Sequence, residues 1–153
     1  MQKRRVTGFT LIEILIVLVI IAVMSGVVAL NVGSPKERIF KSDLLKISNL
    51  LATLADQAVY TNSVITCMVG DGIKCKTYKN NEWDDLNLTG IVSWKWPDVR
   101  VLEIRVDGNR LKDNELIRFP PSGEIEQMSF HISDGDHDAW IDGNLNGEFK
   151  VSY

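Results

Sequence analysis

The chain has 153 residues, 45% of them apolar and 24% charged, enough for one domain with a core and too few for a comfortable second. Two cysteines, in neither a Cys-x-x-Cys pair nor a Cys/His cluster, exclude a disulfide scaffold and structural zinc. A net charge of −3 argues against nucleic acid as the partner. Segregation of charge does not reverse this, because residues 119–153 carry seven acids against Lys150 alone and no Lys/Arg stripe is visible.

Phe9 to Leu30 is an apolar run with one charge, Glu13, and only Thr10 and Ser25 otherwise polar. A helix of that length spans about 33 Å, the thickness of a hydrocarbon core. The run therefore predicts a transmembrane helix over 9–30. Lys3, Arg4 and Arg5 before it keep the N-terminus cytoplasmic and send the rest of the chain across the membrane. A cleaved secretory signal fits less well, since its apolar region is usually about 7–15 residues with a small-residue cleavage site after it. Glu13 needs neutralising, because an ionised carboxylate toward a bilayer core costs about 2.5 kcal/mol or more.

Gly8-Phe9-Thr10-Leu11-Ile12-Glu13, with a basic leader before and an unbroken apolar helix after, resembles the type III signal of type IV pilins and pseudopilins. The resemblance implies that a prepilin peptidase removes residues 1–8 by cutting after Gly8, then methylates the new amine on Phe9. It also implies that Glu13 pairs with the free amine of a neighbouring subunit. Two opposite charges in low dielectric relieve each other's desolvation cost, so the pairing would set the register of stacked helices.

Between Lys36 and Tyr60, Phe40, Leu44, Ile47, Leu51, Leu54 and Ala58 recur in steps of four and three, which predicts an amphipathic helix over 31–60 packed on its own domain's sheet. Gly33-Ser34-Pro35 predicts a kink or short unwound stretch before it. Beyond Tyr60 the period falls to two and turn signals multiply. Strands are expected near 63–69, 73–79, 91–95, 99–106, 115–119, 125–133, 139–142 and 148–152, in an antiparallel body over 61–153. The fold class is α+β: a long N-terminal helix, half transmembrane and half amphipathic, on an antiparallel sheet. With Gly70-Asp71-Gly72 as the hairpin loop, Cys67 falls opposite Cys75 at a Cβ separation of about 4.5–5.5 Å. In an oxidising exported body these two close a disulfide that serves stability.

Arg118-Phe119-Pro120-Pro121-Ser122-Gly123 and the strands after it resemble the Phe-x-Pro-x-Gly segment and closing strands of the GspH/FimT branch of the pseudopilins. That resemblance implies a minor pseudopilin at or near the tip of a type II secretion pseudopilus, anchored in a bacterial inner membrane with its body in the periplasm. Its implied partners are the prepilin peptidase, other minor and major pseudopilins, the inner-membrane assembly platform and exoproteins. The rival reading is a minor type IV pilin, in pilus assembly or DNA uptake. No enzyme is expected, since no G-x-S-x-G, P-loop or H-E-x-x-H occurs. His131 reads as a solvent-facing strand residue, and Trp83, Trp94, Trp96 and Trp140 read as core. No cofactor is implied, with one candidate exception: Asp142, Asn144 and Asn146 place oxygens at alternate residues before Gly147, the chemistry of a calcium loop, although the closing bidentate Glu is replaced by Tyr153.

Overall fold

The structure is a computed structural model that describes residues 10–29, 34–70, 72–86, 94–96, 99–112 and 115–153, the side chains of 23–29 and 94–95 excepted. The chain divides into two units, 1–35 and 36–153.

In the first unit, helix α1 runs Leu11–Ala29. Its described side chains are apolar on every side apart from Glu13, and all of Leu11–Ala22 are exposed. The expected span over 9–30 includes Phe9 and Leu30, which lie outside the described residues. Among the described residues no helix is long and apolar enough to cross a membrane. Leu11–Ala22 alone would cover only about 18 Å.

In the second unit, helix α2 runs Pro35–Tyr60, with proline at the first position, where its missing N–H costs nothing. Residues 31–33 of the expected kink lie outside the described residues. Asn62 ends the helix in the left-handed conformation (φ 47°). The N–H of Ser63 reaches the carbonyl of Ala58 and that of Asn62 the carbonyl of Val59, so two orphan carbonyls are satisfied. The six residues of the predicted stripe are all at most 2% exposed. Asp43, which is not part of that stripe, is also buried and holds Lys46 at 2.7 Å.

The body holds two antiparallel sheets. The first pairs β1 (Ile65–Val69), β2 (Gly72–Lys79), β3 (Glu82–Asp85) and β7 (Leu116–Phe119) in the order β3-β2-β1-β7, with β4 (Trp94–Lys95) on the start of β2. The second runs β10-β9-β8-β5-β6, from β5 (Arg100–Val106), β6 (Asn109–Arg110), β8 (Met128–Ser133), β9 (Asp138–Gly143) and β10 (Phe149–Ser152). Residues 91–93 of the expected 91–95 strand lie outside the described residues. The expected 125–133 strand starts only at Met128. Ile125 is buried in the preceding loop instead, its N–H bonded to the carbonyl of Leu145. Asn80-Asn81 and Asp107-Gly108, all at positive φ, make the two-residue turns that suit the right-handed twist of a hairpin.

The inner faces of both sheets close over α2 in one core that includes Leu44, Leu51, Ile65, Phe119, Phe130 and Ile141. Cys67 and Cys75 are directly opposite and disulfide-bonded, with Cα atoms 4.1 Å apart. Gly143 is enforced by packing, because a Cβ there would sit 2.5 Å from the Phe149 ring.

Candidate functional site

The polar chemistry of the first unit is concentrated at the start of α1. Glu13 Oε2 accepts the backbone N–H of Thr10 at 3.0 Å and its hydroxyl at 2.9 Å, and the Glu13 N–H returns to the Thr10 carbonyl at 3.1 Å. This is the glutamate half of a capping box, and it also puts a negative charge at the positive end of the helix dipole. Glu13 therefore has hydrogen-bond donors within its own first turn, although Thr10 brings no opposite charge. The Thr-x-x-Glu spacing is a readable signal for this, and it adds Thr10 to the residues of the site. Gly8 and Phe9 lie outside the described residues.

In the body, two of the three candidate calcium ligands make side-chain hydrogen bonds. Asp142 accepts the Ser129 hydroxyl at 2.7 Å and the Ser152 hydroxyl at 3.1 Å, tying β9 to both neighbours. Asn144 Oδ1 takes the N–H groups of Asn146 and Glu148, each at 3.0 Å, and shapes the β9–β10 turn. Among the described residues no group of three or more His, Cys, Asp or Glu is placed to hold a metal ion.

His131 and His137 lie at the β8–β9 end. The His131 ring stacks on Trp140 with centroids 4.5 Å apart, and its Nε2 is 3.4 Å from Asp138. Arg105 covers the same Trp140 ring at 5.2 Å while bonding Glu103 at 2.8 Å, which holds the glutamate below and the arginine above their ordinary ranges. His137 packs its ring on Phe40 of α2, with centroids 5.6 Å apart, and bonds Asp134 at 3.1 Å. Beside it Lys36 reaches Asp136 at 2.9 Å, and that bond raises the lysine's pKa. These contacts fasten the β8–β9 turn to the start of α2.

Two expectations need correction. No tryptophan whose side chain is described is buried: Trp83 is 48% exposed, and Trp96 and Trp140 are intermediate. The reason is placement: Trp83 is on an edge strand, Trp140 on an outer sheet face, and Trp96 at the margin of the core, its indole N–H on the carbonyl of Gly70. Nor is the chain without a basic cluster. Strand register brings Lys74, Lys76 and Arg118 onto one face of the first sheet, across a gap in sequence that no linear scan crosses.

Residues 3–29 match the family described as the prokaryotic N-terminal methylation motif, which spans Gly8, Phe9, Thr10 and Glu13. No curated protein matches the chain in sequence. Among solved structures, the chain is similar to the minor pseudopilin EpsH from the type 2 secretion system of Vibrio cholerae. One structure superposes with a TM-score of 0.58 at 11% identity, covering 72% of this chain and 93% of that one. A second gives 0.57 at 10% identity, covering 71% and 91%. The fold is that of a minor pseudopilin. At this identity the likeness shows the fold alone.

Proposed function

We propose that this chain is a minor pseudopilin of a type II secretion system, a non-enzymatic structural subunit. The observation that carries the reading is the joining, in one chain, of an N-terminal methylation motif to a body with the EpsH fold. In this reading prepilin peptidase cuts between Gly8 and Phe9 and methylates Phe9. α1 stays in the bacterial inner membrane with its N-terminus cytoplasmic, the body lies in the periplasm, and the subunit enters the pseudopilus at or near the tip, among the other pseudopilins, through the inner-membrane assembly platform. Glu13 has two successive partners: its own Thr10 in the free subunit, and the amine of a neighbour once assembled. The exchange leaves the carboxylate paired throughout, so assembly does not require it to stand alone in the bilayer.

The intact mass of protein extracted from membranes should correspond to a chain beginning at N-methylated Phe9. Recovery of a chain that still begins at Met1, in cells with active peptidase, would sink the reading. Deleting the gene should block release of enzymes to the medium while leaving pili and twitching intact; the reverse pattern assigns the chain to a type IV pilus.

Glu13→Ala should still be cleaved and should accumulate in the membrane, because insertion becomes easier, yet enter the pseudopilus poorly. Cross-linking to sibling subunits measures this. Wild-type yield from the variant would remove the pairing role.

A further inference from the structure

An antiparallel sheet with one buried face normally turns polar residues to water. The first sheet does so only in part. Register places Tyr78, Lys76 and Lys74 of β2, Thr66 and Met68 of β1, Leu116 and Arg118 of β7, and Trp83 and Asp85 of β3 on the face opposite the buried Ile65, Cys67, Ile117 and Phe119. Four of these nine are large, apolar and open: Tyr78 is 40% exposed, Met68 41%, Trp83 48% and Leu116 54%.

They form two adjacent pairs. Tyr78 is directly opposite Trp83, with ring centroids 5.1 Å apart, and Met68 is directly opposite Leu116. Between the pairs runs the cross-strand row Asp85, Lys76, Thr66, Arg118. Lys74 stands beside Met68. Among the described residues of this face three cations stand with one acid, so the described patch is positive on a chain whose net charge is −3. The ion pair described there is loose, Lys76 to Asp85 at 4.0 Å with both side chains more than half exposed. Trp, Tyr, Met and Arg are the residue types enriched in the cores of protein interfaces.

Charge decides the occupant. Three cations against one carboxylate call for carboxylates opposite, and the flanking apolar pairs call for apolar groups beside them. A single-stranded nucleic acid needs open ring faces and a longer cationic track, whereas here the two rings tilt against each other at 53° and the row ends after Arg118. A second copy of this chain is the rival occupant that the test below separates: Asp134 is held by His137, Asp136 by Lys36, Asp138 lies at His131 and Asp142 is held by two serines, while Glu124 and Glu126 are exposed.

We propose that the outer face of the first sheet is a docking surface for a different protein, one presenting an acidic surface with apolar groups. Tyr78 with Trp83 and Met68 with Leu116 are its two apolar anchors, and Lys74, Lys76 and Arg118 meet the partner's carboxylates. Exposed apolar patches of single proteins are typically about 300–600 Å², against about 800 Å² per partner in a stable complex, so the partner is also held elsewhere, as it is when both are tethered in one assembly. The proposal concerns the body alone and stands apart from the processing of the N-terminus.

The test uses the full chain in its own cells, with a photo-cross-linking amino acid at Leu116 and, as a control, at the more open Tyr153. The expected result is a product specific to Leu116, with the cross-linked segment of a different protein rich in Asp and Glu. Lys76→Glu with Arg118→Glu should reduce that product by about tenfold, through like-charge repulsion, without lowering the body's melting temperature. The proposal is overturned by equal products from the two positions, by cross-links to a second copy, nucleic acid, lipid or a basic segment, or by a yield indifferent to the charge reversal. The mass of the N-terminus in the same samples reports separately on processing, so failure of one reading is distinguishable from failure of the other.

Discussion

The two helices of this chain solve opposite problems. Among the described residues α1 has no polar face beyond Glu13 at its start: Ile14 through Ile21 are each between 52% and 61% exposed. α2 has Leu44, Ile47, Leu51 and Ala58 at zero exposure on one side, and Arg38, Lys41, Lys46, Asn49 and Asp56 in water on the other. An apolar helix with no preferred face must take its surroundings from outside the chain, from lipid or from other helices, whereas an amphipathic one brings its core with it. The core of the body is built from α2 and the two sheets, and α1 is the part that takes its surroundings from outside the chain.

A matched pair of substitutions is the strongest way to break that comparison. Leu51→Ala removes a side chain with zero exposure at the centre of the core and should cost the body about 2–5 kcal/mol. Leu15→Ala, 54% exposed in α1, should leave unfolding of the body unchanged within about 0.5 kcal/mol. All four tryptophans lie beyond residue 80, so their fluorescence during denaturant unfolding reports on the body only. Equal losses from the two substitutions would mean that α1 shares the body's cooperative unit.

The disulfide sharpens the same contrast at smaller scale. Its ring closes over a sequence separation of 8, and loop-closure entropy makes that worth about 2–3 kcal/mol. Cys67→Ala with Cys75→Ala should lower the body's stability by that amount. A thiol reductant should reproduce the loss in the unsubstituted protein and add nothing in the variant. A reductant effect that persists in the variant would locate the sensitivity elsewhere.

What was legible in the sequence follows from the same division. The stripe on α2 could be read because burial on one side imposes its period directly, and the hairpin register could be read because Gly70-Asp71-Gly72 fixes the loop length and so the partner of Cys67. β3 could not be read: Glu82-Trp83-Asp84-Asp85 is an edge strand exposed on both faces, so no apolar alternation marks it. The separation into two sheets escaped for a different reason. It depends on β1 pairing with β7, across about half the body's length, and on β5 pairing with β8 through a register shift between Val101 and Glu103, and neither leaves a local trace. At the site, Glu13 was read by its charge, and its hydrogen bonds to Thr10 were overlooked although the spacing for them was present.

The smallest effect lies where α2 meets the β8–β9 turn. Burial pushes the Asp134 carboxyl up, but the His137 ring and the N–H groups of His137 and Asp136 outweigh it, leaving the group below its ordinary value of 3.8. A carboxyl whose pKa is lowered by folding stabilises the fold above the unfolded value, and that contribution disappears as pH falls through the folded one. As pH falls through 3.8 and below, the unsubstituted body should therefore lose more stability than Asp134→Asn, because the amide keeps an acceptor for the two N–H groups and has no charge to lose. Thermal unfolding at stepped pH measures the difference. Parallel acid profiles for the two proteins would show that the turn is held by the stacking of His137 on Phe40 and not by the Asp134 charge.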